Sequence, residues 1–64
     1  MRHTEFWARM DQVLGRDYSR AWAELTVVRE LDGHTTQEAL DSGMPPKQVW
    51  AAVRRQLELP DSER

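Results

Sequence analysis

Cysteine is absent from this chain, which removes any disulfide framework and any thiolate chemistry, nucleophilic or metal-binding. Long apolar runs are missing as well. No stretch approaches the ~20 residues of a membrane span, and Met1, Arg2 and His3 lead into a charged helix rather than a signal-peptide core. Together these absences predict a soluble protein of the cytoplasm, with no membrane contact. A surplus of one charge is also lacking. Nine basic residues against eleven acidic ones give a net charge of −2 at pH 7. Proteins that live on nucleic acid usually carry a basic excess, because phosphate neutralisation supplies most of their affinity.

Length is a further shortage. With 64 residues, one domain is the ceiling. A domain of this size buries only about 60% of the surface its unfolded chain exposes. An enclosed pocket of ~300 Å³ or more would hollow out most of such a core, which argues against a self-contained enzyme. Motifs point the same way: there is no Gly-rich phosphate loop, nucleophile elbow or HExxH. His3 and His34 stand far apart with no nearby ligand pair, and a histidine after a boundary glycine, as His34 is, usually supports a cap or meets solvent. No catalytic residue, cofactor, metal or small-molecule substrate is therefore expected. Glu24, Glu30 and Asp32, set among Arg20 and Arg29, read as solvated pairs on a helix surface.

Glycine and proline are few, three of each, and they fall where helices should end or begin. Gly15, Gly33 and Gly43 each follow an apolar-periodic run, the position of a helix-terminating glycine. Pro45, Pro46 and Pro60 suit helix boundaries. Residues 1–60 form one helical domain on this reading, and residues 61–64 a frayed tail.

The pattern predicts an all-α fold, a compact bundle of about four short helices. The first runs from Thr4 to Leu14, with Phe6, Trp7, Met10, Val13 and Leu14 as its apolar stripe. The second runs from Asp17, a suitable N-cap, to Leu31 and turns Tyr18, Ala21, Trp22, Leu25, Val28 and Leu31 inward. Thr26, Val27 and Val28 are β-branched and would suit a strand, but the periodicity around them favours helix. Thr35 and Glu38 form a capping box that opens the third helix, which buries Ala39 and Leu40 and stops at Gly43. The fourth runs from Pro46 to about Leu57, buries Val49, Trp50, Val53 and Leu57, and is closed by Pro60. Trp7, Trp22 and Trp50 are expected to share the core.

The segment TTQEALDSGMPPKQVW has helix-turn-helix spacing. Ala39 lets two helices approach, Gly43 permits a left-handed turn, and Val49 locks the second helix on the first. That spacing is specific for the supersecondary shape and not for DNA. Base contacts come mainly from the start of the recognition helix, where Pro45, Pro46 and Ala51 offer no side-chain donor and Trp50 belongs to the core. Lys47, Gln48, Arg54 and Arg55 remain, a modest basic face.

MRHTEFWARM, the Gly15/Tyr18 step, GHTTQEAL and G-x-x-P-K-x-VW-x-AV together resemble an actinobacterial family of short domains of unknown function, often encoded near the RecA recombinase and its regulator RecX. The resemblance runs from Met1 to Pro60. It implies an intracellular protein in a DNA-repair setting and supplies no activity. The family pattern has arginine where this chain has His34, an acidic residue at Pro45 and often cysteine at Arg54, so no thiol role carries over.

The reading is a non-enzymatic binding or regulatory module acting through a protein partner. Its candidate surface is Lys47, Ala51, Arg54 and Arg55, with Arg2 and Arg9 adjoining. The alternative is a helix-turn-helix protein that meets DNA with the same basic face.

Overall fold

The structure, a computed structural model, describes residues 1–59. The expected frayed tail and the helix-closing Pro60 lie outside the described residues. Four α-helices carry the fold: α1 (His3–Leu14), α2 (Arg16–Leu25), α3 (Thr36–Asp41) and α4 (Pro46–Gln56). Between α2 and α3 stand two short strands, β1 (Val27–Val28) and β2 (His34–Thr35), joined through a 3₁₀ turn at Arg29–Leu31.

Gly15 sets the first corner. Its φ of 90° and ψ of 143° lie in a region that L side chains rarely adopt. Its N–H ends α1 by donating to Asp11 O at 2.9 Å, and its carbonyl starts α2 by accepting from Ser19 N at 2.9 Å. One glycine therefore serves as the terminal cap of two helices. The fully buried Ser19 hydroxyl donates back to the Asp11 carboxylate, which joins the two helices a turn away from the corner.

That corner decides which side of α2 faces inward, and the result corrects two expectations. The buried residues of α2 are Ser19, Trp22 and Ala23. Tyr18 and Leu25, expected inside, are 57% and 80% exposed, and Ala21 is exposed beside them. The second helix also ends at Leu25 instead of Leu31. Thr26 turns extended at φ −93°, ψ 121°, and the β-branched pair Val27 and Val28 forms the antiparallel register Val27↔Thr35, Val28↔His34. Here β-branched residues with a strand partner to pair with left the helical period. Val28 and Leu31 are still buried, now from a strand and a 3₁₀ turn, while Val27 points outward.

β2 runs directly into α3. Thr35 Oγ1 accepts the Glu38 N–H at 3.2 Å, and Glu38 Oε1 accepts the Thr35 N–H at 2.8 Å, so the expected capping box is complete. The Thr35 N–H holds the Glu38 carboxyl below its ordinary value of 4.5, because a hydrogen bond to the charged form favours it. At the other end, Gly43 N–H donates to Leu40 O at 3.1 Å and Met44 N–H to Ala39 O at 3.2 Å. This Schellman closure uses Gly43 at φ +98°. Pro45 and Pro46 then start α4.

The core is a single cluster of Phe6, Met10, Trp22, Ala23, Val28, Leu31, Ala39, Leu40, Val49, Trp50, Ala52 and Val53. Trp22 and Trp50 are buried as expected. Trp7 is not: it is half-buried at the edge of the core, with the Arg20 guanidinium 3.9 Å above its ring.

Four outcomes follow for stability. Trp50→Ala should cost about 3–5 kcal/mol in chemical denaturation and leave so small a domain largely unfolded at 37 °C, whereas Trp7→Ala should cost clearly less. Thr35→Ala should cost about 1 kcal/mol through loss of the cap. Thr36→Val should be neutral or stabilising, because the buried Thr36 hydroxyl has no hydrogen-bond partner among the described residues. The lowered Glu38 pKa means that its ionised form is favoured by folding. That contribution is present above pH 4.5 and fades as pH falls through the folded-state value. Melting temperatures of wild type and Glu38→Gln should therefore converge below that pH.

Candidate functional site

α1 and α4 lie against each other through Phe6, whose ring meets Trp50 edge-on at 6.2 Å and 86°. Beside this contact an open groove of about 380 Å³ runs between the two helices, lined by Met1, Glu5, Arg9, Lys47, Trp50, Ala51 and Arg54. Its location reconciles its size with so small a core, since the space lies at the surface between helices and not inside the cluster. Helical spacing explains the lining. Glu5 and Arg9 are four apart on α1, and Lys47, Trp50, Ala51 and Arg54 fall at three- and four-residue steps on α4.

Charge in the groove is uneven. Three cations, from Arg9, Lys47 and Arg54, share it with one carboxylate, Glu5. One oxygen of that carboxylate is engaged locally: Glu5 Oε1 accepts the Arg2 backbone N–H at 3.2 Å at the start of α1. The apolar part comes from Trp50, Ala51 and Met1. Trp50 is 5% exposed, and its buried indole N–H has no acceptor among the described residues.

The sequence-predicted surface is divided by the fold. Lys47, Ala51, Arg54 and Arg9 come together in this groove. Arg55 does not. One residue along α4 it points to another flank, where its guanidinium meets Glu30 Oε2 at 3.1 Å in a smaller cleft with Arg29, Gln56 and Glu58. Glu30 thus pairs across the fold and not with a neighbour on its own helix. In the same place Gln56 Nε2 donates to Val27 O at 3.4 Å. This second cleft ties α4 to the strand and 3₁₀ turn. Arg2 is the N-cap of α1 and is not among the residues lining the groove. Sequence reading missed Glu5, Met1 and Trp50 as groove residues; the four-residue step from Glu5 to Arg9 was the available signal.

The start of α4 offers little to an anion. Pro46 has no N–H, and the Gln48 and Val49 N–H groups bond to Pro45 O at 3.0 and 3.1 Å. Both histidines are exposed, and His34 Nδ1 lies 3.7 Å from Glu38 Oε1. Among the described residues no group of three or more His, Cys, Asp or Glu is placed to hold a metal ion. No helix among them is long and apolar enough to cross a membrane.

No curated protein and no solved structure matches the chain. A family model described as "Protein of unknown function (DUF3046)" matches residues 1–62, nearly its whole length, and the chain belongs to that family.

Proposed function

We propose that this domain is a small non-enzymatic binding module that acts through a protein partner, and that the α1–α4 groove is the contact. One observation carries the reading: Arg9, Lys47 and Arg54 surround an apolar floor of Trp50 and Ala51. Interfaces concentrate their energy in places of this kind, where an aromatic and arginines meet at a concave surface. A setting in the cytoplasm and in DNA repair belongs to the same proposal and rests on the family resemblance alone.

DNA is the competing partner, through the turn between α3 and α4. Several features weigh against it. The start of α4 has two prolines and few free donors, the chain is net negative, and Arg55 is paired with Glu30. Base readout would need side chains that this helix end does not carry.

Fluorescence anisotropy against duplex DNA at about 150 mM salt separates the two. The expected result is weak binding, indifferent to sequence. DNA contact through Lys47 and Arg54 would instead give a log–log salt slope of about −2 that falls by about one with each alanine substitution. Sub-micromolar preference for one duplex over a scrambled one would overturn the protein-partner reading. In parallel, a photo-crosslinker at position 51 should capture protein from native cells, and Lys47→Glu should abolish that capture.

A further inference from the structure

Three properties of the groove narrow the kind of protein segment it suits. Its volume of about 380 Å³ lies at the small end of ligand sites and has room for a few side chains. Its charge is net positive, with Arg9, Lys47 and Arg54 against the single carboxylate of Glu5. Arg54 has an interaction of its own, so Arg9 and Lys47 carry the charge argument. The third property is its apolar floor, formed by Ala51 and Trp50.

Resting on the reading that the groove meets a protein, we propose that its ligand is an acidic peptide segment with an aliphatic side chain between its carboxylates. The carboxylates lie against Arg9 and Lys47, with Arg54 alongside. The aliphatic side chain rests on Ala51 and the Trp50 ring. A polyphosphate backbone suits the same place less well. The apolar floor of Ala51 and Trp50 would leave a phosphate's remaining oxygens unsatisfied.

The test uses the ¹⁵N-labelled full chain, with the Trp50 indole resonance identified by its loss in Trp50→Phe. The probes are the acetylated and amidated pentapeptide Glu-Leu-Glu-Leu-Glu, its Gln-Leu-Gln-Leu-Gln counterpart and a short mixed-sequence DNA duplex. The acidic peptide should move the Trp50 resonance saturably and bind about tenfold more tightly than the glutamine peptide. Its affinity should fall about threefold in Lys47→Gln or Arg9→Gln, and further as salt rises. Lys47 is exposed, so Lys47→Gln should melt like wild type and keep the comparison clean. Equal binding of both peptides, unchanged by Lys47→Gln, overturns the acidic class and leaves the protein-partner reading standing. A Trp50 shift with the duplex alone overturns both. Peptide shifts confined to the exposed Tyr18 and Leu25 side of α2, or no response to any probe, overturn the inference.

Discussion

The contact between Phe6 and Trp50 is the constraint on which the rest depends. Phe6 is fully buried, and its ring meets the indole edge-on at 6.2 Å, a geometry that puts a positive ring edge against a negative face. It joins the first helix of the chain to the last. Trp7 adds a second edge-on contact to Phe6 at 5.2 Å, and Arg20 covers Trp7 from α2. A ladder of aromatic and cationic groups thus runs from α4 through α1 to α2. Such pairs contribute about 0.5–1.5 kcal/mol beyond their buried area, a large share of the stability of a small domain.

Around that contact the helices are short, and their ends do much of the specifying. α3 has only six residues, far below the ~12–15 that make an isolated helix even marginal in water. It persists because both ends are closed, by the Thr35–Glu38 box and by the Gly43 Schellman turn. α4 ends in the same closure, with Glu58 N–H donating to Arg55 O at 3.1 Å and Leu59 N–H to Arg54 O at 3.0 Å. There the left-handed position is held by Glu58 at φ 55°, a conformation that is strained for a residue with a Cβ. The chain accepts that strain at its last described turn, while glycine takes the two corners that set helix direction, Gly15 and Gly43.

The groove is a by-product of the same packing. Burying Phe6 and Val49 on the inner faces of α1 and α4 leaves the adjoining strips, Glu5 and Arg9 on one and Lys47, Ala51 and Arg54 on the other, facing each other across a gap. Small Ala51 keeps the gap open, and Trp50 floors it while belonging mostly to the core. A chain of net negative charge thereby gathers cations in one concave place. Bulk charge is a poor guide to a local potential, because the fold selects which residues become neighbours.

The sequence by itself determined the helical class, α1, α3 and α4 to within a residue or so at most ends, the capping box, the Gly43 turn and most of the core. Each is encoded within a few residues, by 3.6-residue periodicity, by side chains that cap their own backbone, or by a glycine at positive φ. It also singled out Lys47, Ala51, Arg54 and Arg55 as one candidate face of the last helix, without distinguishing Arg55 from the rest. Tertiary structure decided what depends on partners distant in the chain. Tyr18 and Leu25 have the period of a core stripe, yet the Gly15 corner and the Ser19–Asp11 bond turned them to solvent. Thr26–Val28 left the helix because a strand partner, His34–Thr35, was available to pair with it. Arg55 was separated from Arg54 by Glu30, 25 residues away, and Arg9 was brought to Lys47 by the burial of Phe6 against Trp50. Local chemistry fixes which elements form; only packing fixes which of their faces meet.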